Sequence, residues 1–202
     1  MCVKPTVFVV DDDPGMLKSL SWLLESDGLK TETYRSAQEL LERYDPDRPG
    51  CLVLDLRMPG MNGLELQEWL VAHGIELPIV FVTGHGDVRA SVRAMKLGAV
   101  DFLEKPLDDE ELLRMVRYAI RKDLERRRRE QEEREVRSLL ASLTEREREV
   151  MRMLVDGKPT KQIAHELGIS HQTVAKHRVR IFSKLNVQSE TELVRLLVEH
   201  SL

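Results

Sequence analysis

The sequence predicts an α/β domain built on a doubly wound five-stranded parallel sheet, followed by a long helix and a smaller all-α domain of four helices. Short β-branched apolar runs alternate with helix-period segments through about the first 120 residues, the signature of a parallel sheet with helices on both faces. A charged run without Gly or Pro comes next, and beyond it the apolar spacing stays helical, interrupted only at short turns. A length of 202 residues suits one unit of common size plus a smaller one.

The strands and helices alternate in order. Val7–Val10 precedes a helix over Pro14–Ser26, Cys51–Leu54 precedes Gly63–His73, and Ile79–Val82 precedes Val88–Leu97. Weaker strands are expected at Thr31–Tyr34 and Val100–Leu103. Continuous apolar runs fit strands buried on both faces. The last helix of this domain should start at Asp108, where Asp-Asp-Glu-Glu supplies an N-cap and acids near the positive end of the dipole. Its apolar seam is Leu112, Leu113, Val116, Ala119, Ile120 and Leu124.

The seam gives way to a charged stretch, 125–135, in which Glu125/Arg129, Glu130/Arg134 and Glu133/Arg137 stand at i, i+4 in the better orientation. It reads as a continuous solvent-exposed helix of order 50 Å from Asp108 to Leu140. Without apolar heptad positions a coiled coil is the weaker alternative. Thr144-Glu-Arg-Glu147 then forms a capping box, Gly157-Lys-Pro159 is a break, and helices follow over Thr160–Leu167, from Ser170 to about Lys184, and from about Glu190. The expected divisions are 1–123, a linker over 124–140, and 141–202.

The net charge of −4 hides an asymmetry. Residues 1–123 hold 22 acids and 15 bases, a balance of −7, whereas 124–202 hold 13 acids and 16 bases, a balance of +3. Within 160–184 five bases (Lys161, Lys176, Arg178, Arg180, Lys184) face one acid, Glu166. An acidic first domain argues against nucleic-acid binding there, and the basic stripe permits it in the second. Two cysteines, Cys2 and Cys51, are too few for a disulfide framework and fit a reducing cytoplasm. No apolar run approaches the roughly 18 residues of a membrane span, and no secretory signal is expected.

Open α/β sheets carry their functional residues at the carboxyl ends of the strands. Here Asp11 and Asp12 follow Val10, Asp55 follows Leu54, Thr83 follows Val82, and Lys105 follows Phe102-Leu-Glu. Three crowded carboxylates repel one another and call for a cation, and an all-oxygen set suits Mg²⁺. Such a site lets an Asp oxygen attack phosphorus while Lys105 and the Thr83 hydroxyl pair with the phosphoryl oxygens.

These residues, with Asp55 in Asp-Leu-Arg-Met-Pro-Gly-Met-Asn-Gly, Thr83 in Val-Thr-Gly-His-Gly-Asp, and Lys105-Pro106 after Asp101-Phe102-Leu-Glu, resemble the receiver domain of two-component response regulators over residues 4–123. The Thr-Gly-His-Gly-Asp-Val segment is similar to the FixJ group. The resemblance implies a flavodoxin-like fold and an aspartyl phosphate on Asp55, formed from the phosphohistidine of a histidine kinase. It implies Mg²⁺ held by Asp12, Asp55 and the backbone carbonyl of Arg57, with Asp11 acting through water. It also implies an aromatic switch at Phe102 and a cis peptide at Lys105-Pro106. Phosphatases of the haloacid-dehalogenase type use the same side chains, but their nucleophile ends the first strand as Asp-x-Asp, whereas the isolated Asp55 ends the third.

In the second domain, Val174, Ile181 and Leu185 fall within roughly 40° of one another on a helical wheel and should face the core. Gln172, Lys176, Val179, Arg180 and Ser183 fall opposite, with Ala175 at the border, a mixture suited to base edges, thymine methyls and phosphates. Lys161, Arg178 and Lys184 are placed for backbone contacts. Leu143-Thr-Glu-Arg-Glu-Arg-Glu-Val, Lys161-Gln-Ile-Ala-His-Glu-Leu-Gly-Ile-Ser, Thr173-Val-Ala-Lys-His-Arg and Lys184-Leu-Asn-Val resemble the LuxR/NarL helix-turn-helix. That resemblance implies binding to double-stranded DNA, with Thr173 also in the contact set. Thr160 stands where the family often has Asn, and Ala175 where it often has a longer polar residue. His165, His171 and His177 lack metal-ligand spacing and read as structural or surface residues. The expected mechanism is receiver pairing into a homodimer on phosphorylation, which serves two half-sites about 34 Å apart. Unmasking of the recognition helix is its rival.

Overall fold

The computed structural model describes residues 4–84 and 88–200. In chain order the elements are β1 (Thr6–Val10), α1 (Pro14–Ser26), β2 (Lys30–Tyr34), α2 (Ala37–Arg43), β3 (Gly50–Asp55), α3 (Gly63–Ala72), β4 (Ile79–Thr83), α4 (Val88–Lys96), β5 (Asp101–Glu104), α5 (Asp109–Ala141), α6 (Glu145–Val155), α7 (Thr160–Leu167), α8 (His171–Leu185) and α9 (Glu190–Glu199). The sheet is parallel in the order β2-β1-β3-β4-β5, the doubly wound arrangement the alternation predicts. Bounds shift from expectation by a residue or two. The last receiver helix begins after Asp108 because Asp108 is its cap, its Oδ1 accepting from the amides of Glu110 and Glu111.

Alternate strand residues sort onto two cores, as a period of two requires. Phe8, Val10, Leu52, Leu54, Ile79 and Phe81 pack with α2, α3 and α4. Val7, Val9, Cys51, Val53, Val80 and Val82 pack with α1 and the first turns of α5 through Leu112, Val116, Ala119 and Ile120. Leu124, counted in the expected seam, is exposed instead.

Two compact units meet in sequence between Arg127 and Arg128, so the first runs four residues past the expected division at 123. The cause is the fully buried Asp123 carboxylate. Its Oδ2 accepts from the Gly50 amide (2.9 Å) and Arg127 Nε (2.8 Å), and its Oδ1 from Arg126 Nη2 (2.7 Å). Arg127 also donates to the carbonyls of Pro46, Asp47 and Arg48. Half of the four-arginine run therefore turns inward, which corrects the reading of 125–135 as a wholly solvated stretch. The helix is unbroken over 33 residues. Of the expected ion pairs along it, Glu133–Arg137 forms at 3.8 Å.

In the second unit Leu143, Val150, Leu154, Ile163, Val174, Ile181, Leu185 and Leu193 make one core. The Thr144 capping box closes on both sides with Glu147. Gly168 takes a left-handed conformation (φ 65°) that ends α7, and Ser170 caps α8 through the Thr173 amide.

Candidate functional site

Strands β1, β3 and β4 lie side by side, so their carboxyl ends bring Asp11, Asp55 and Thr83 to one edge, all three buried. Lys105 joins them after β5, its amide donating to the Thr83 carbonyl at 2.8 Å across a turn whose Lys105-Pro106 bond is cis as expected. Its Nζ bridges the two carboxylates, 2.9 Å from Asp11 Oδ2 and 3.2 Å from Asp55 Oδ1. The second oxygen of Asp55 accepts from the Arg57 amide at 2.8 Å, and that of Asp11 from the Asp13 amide at 2.9 Å.

The three consecutive aspartates thus divide their work. Asp13 caps α1, accepting from the Gly15 amide, Asp11 pairs with Lys105, and Asp12 is exposed, its carboxylate without a hydrogen-bond partner among the described residues. Burial pushes the Asp55 carboxyl above its ordinary value, against the pull of the Lys105 ammonium and the Arg57 amide. For Lys105, burial lowers the pKa, but the Asp11 and Asp55 carboxylates outweigh it and the net shift is upward. The ammonium therefore holds its charge beside the pocket.

Two features were not recognised as functional in the sequence. Gly63 opens α3 against the Asp55 carbonyl, where a Cβ would lie 2.4 Å from that oxygen, so only glycine admits this approach. Asn62 and Glu65 cap the same helix reciprocally, and the Asn-Gly-Leu-Glu spacing is the signal that could have revealed it. Phe102 is half-buried against the α3–α4 core, its ring 6.0 Å from that of Phe81. His85, Gly86 and Asp87 of the threonine motif lie outside the described residues.

In the second unit, the structure splits the expected DNA-contact set. Gln172, Ala175, Lys176, Val179 and Arg180 are exposed on α8, and Lys161 is exposed on α7. Lys184 is instead drawn into the fold, its Nζ 2.6 Å from Glu147 Oε2 and 2.9 Å from the Ser142 carbonyl. Arg178 pairs with Glu190 at 3.4 Å and covers the Phe182 ring, while the Thr173 hydroxyl lies 2.9 Å from that of Ser170 in the α8 cap. Burial of an ion pair explains Lys184: the Glu147 it neutralises is itself buried. His165 and His171 are exposed and His177 is half-buried.

Comparison with known proteins agrees with both units. Residues 7–117 match the response regulator receiver domain family, and residues 141–197 match the LuxR family of bacterial regulatory proteins. The transcriptional regulatory protein FixJ of Azorhizobium caulinodans is 45% identical over 190 residues, 94% of this chain and 90% of its own. Nodulation protein W of Bradyrhizobium diazoefficiens is 44% identical over 193 residues, 96% of this chain and 85% of its own. The solved structure of the response regulator StyR superposes with a TM-score of 0.92 at 47% identity, covering 97% of this chain and 99% of its own. The chain belongs to the FixJ-type response regulators, the two-component transcriptional regulators in which a receiver is followed by a LuxR-type DNA-binding domain.

Proposed function

We propose that Asp55 is the phosphoacceptor and that its modification by a histidine kinase governs DNA binding by the second domain. The observation that carries this is the Lys105 ammonium held between Asp11 and Asp55, beside Thr83 at the next strand end. A buried carboxylate with a fixed cation at one oxygen keeps its nucleophile oriented, and the same cation can follow charge onto a phosphoryl group. The chain itself accelerates the transfer and later hydrolysis at this one site, without being an enzyme for a separate substrate.

The all-oxygen set of Asp11, Asp12 and Asp55, with the Asp12 carboxylate lacking a hydrogen-bond partner among the described residues, fits a hard divalent cation. Mg²⁺ would be held by Asp12, Asp55 and the Arg57 carbonyl, with Asp11 through water, and would neutralise the phosphoryl oxygens during transfer. Thr83 would donate its hydroxyl to a phosphoryl oxygen, and Phe102, half-buried, would turn inward as Thr83 moves. The surface of α4, β5 and the start of α5 would then pair two copies, with release of a masked recognition helix as the alternative. We assign the receiver to the residues up to 127, the linker to 128–140 and the DNA-binding domain to 141–202. On α8, Gln172, Ala175, Lys176, Val179 and Arg180 would face DNA, with Lys161 and Arg178 at its backbone; Thr173 and Lys184 serve the fold first. Among the described residues no helix is long and apolar enough to cross a membrane. A kinase and DNA as partners place the protein in the cytoplasm.

The test is incubation with Mg²⁺ and a small phosphodonor, comparing wild type with Asp55→Asn. Base-labile mass gain and dimerisation are expected in the wild type alone. Equal dimerisation in both proteins would remove phosphorylation from the mechanism.

A further inference from the structure

On α8, Val179 is 69% exposed, and at about 100° per residue it stands about 160° around the axis from the buried Ile181. Ala175, also exposed, lies one turn before it on the same ridge. Gln172, Lys176, Arg180 and Ser183 border that ridge, and each is exposed. Folding gives no reason for a valine here. It packs against no core, and β-branching makes it a poorer helix former than the lysines and arginines around it.

The chemistry of a DNA groove does give one. Along the major-groove edges of the four base pairs the thymine C5-methyl is the apolar group, while the others offer hydrogen-bond donors and acceptors. A valine projecting from the middle of a polar face has nothing to offer a guanine or a phosphate. It can shield a methyl from water, while the flanking Lys176 and Arg180 hold the helix in place through charged contacts.

We infer that Val179, with Ala175 beside it, is the thymine-reading element of this recognition helix and packs on a thymine C5-methyl in its preferred site. The inference rests on the DNA-binding reading above and specifies which base chemistry that surface selects. Arg178 and Lys184 stand apart from it, being engaged with Glu190 and with Glu147.

The experiment begins with the full chain, treated with Mg²⁺ and acetyl phosphate, selecting from a random-sequence duplex library. Each thymine of the enriched site is then replaced singly by deoxyuridine, which deletes the methyl alone. The wild type should lose about fourfold in affinity at one thymine per half-site, the equivalent of about 0.8 kcal/mol for one buried carbon. Val179→Ala, an exposed change that leaves the core untouched, should bind thymine and uracil duplexes alike. Enriched sites with no uracil penalty, or a penalty unchanged in Val179→Ala, would overturn the inference and leave DNA binding standing. Failure to enrich any sequence, with plain duplex binding absent as well, would overturn the DNA-binding reading and this inference together.

Discussion

Replacing Asp123 with alanine should be among the most damaging single changes to the receiver, although no chemistry passes through it. The carboxylate is fully buried and accepts from three donors. Its loss strands the Gly50 amide, a cost of about 1–3 kcal/mol for an unsatisfied buried donor. It also takes that anion from two guanidiniums, of which Arg126 keeps Glu76 at 3.7 Å, and breaking one side of a buried ion pair costs about 3–5 kcal/mol. Both arginines are roughly a quarter exposed, and Arg127 keeps its three carbonyl partners, so water and those carbonyls absorb part of the second cost. The sum is about 3–5 kcal/mol, a third or more of the stability of a typical domain. Asp123→Asn retains one acceptor and should lose about 2 kcal/mol. Trp22 and Trp69 both lie in the first unit, so tryptophan fluorescence during urea unfolding of the full chain reports on the receiver alone. A loss under about 1 kcal/mol for Asp123→Ala, or an Asp123→Asn protein as stable as wild type, would refute the reasoning.

Glu147, held by the Lys184 hydrogen bond and the Thr144 amide, has its pKa lowered from 4.5 to about 2. Its stabilisation is therefore complete above pH 4.5 and lost as pH falls toward 2, so the stability gap between wild type and Glu147→Gln, about 1–2 kcal/mol after screening at the one-third-exposed Lys184, should narrow between pH 6 and pH 3 in urea melts followed by circular dichroism. Gly63→Ala places a Cβ 2.4 Å from the Asp55 carbonyl and 3.0 Å from the Phe81 ring. It should cost about 1–3 kcal/mol and slow phosphoryl incorporation, read by intact mass, at least tenfold; a wild-type rate would show that the turn after β3 does not position Asp55. Asp55→Asn should raise the tryptophan-monitored urea midpoint at pH 7, since an acid whose folded pKa is raised destabilises the fold once ionised and the amide removes that charge while Lys105 keeps Asp11. A lower midpoint would contradict it.

The receiver was legible because its signals are local. Apolar runs of four or five residues fix β1, β3 and β4, and the polar residue ending each run is the one that reaches the pocket. Asp123 was not legible because the Gly50 amide it accepts from lies 73 residues away and the carbonyls that hold its neighbour Arg127 lie on the α2–β3 turn. In sequence it is one more acid beside a basic run, and it stood where the expected division fell. The Lys184–Glu147 pair was not legible for a related reason. A helical wheel gives its direction but not that Glu147, 37 residues earlier, waits on that side. Periodicity assigns faces, whereas ion pairs across elements depend on which faces meet.

The same distinction separates the chemistry from the anchor of α5. Strand β3 carries both, with Asp55 at one end and Gly50 at the other, five residues or about 16 Å apart. It is buried along its whole length and hydrogen-bonded to β1 and β4, so it has no room to slide between the two sites. On the proposed function, a change at Asp55 would therefore travel by the other route, through Thr83 and the half-buried Phe102 on the β4–β5 side. It follows that Asp123→Asn should leave the rate of Asp55 phosphorylation per folded molecule within about twofold of wild type while lowering receiver stability, whereas Phe102→Ala should leave the rate similar and uncouple it from dimerisation. Intact mass and light scattering on the same samples separate the two. A phosphorylation rate that fell tenfold in Asp123→Asn would mean that β3 transmits strain along its length after all, and that the anchor of α5 is part of the switch.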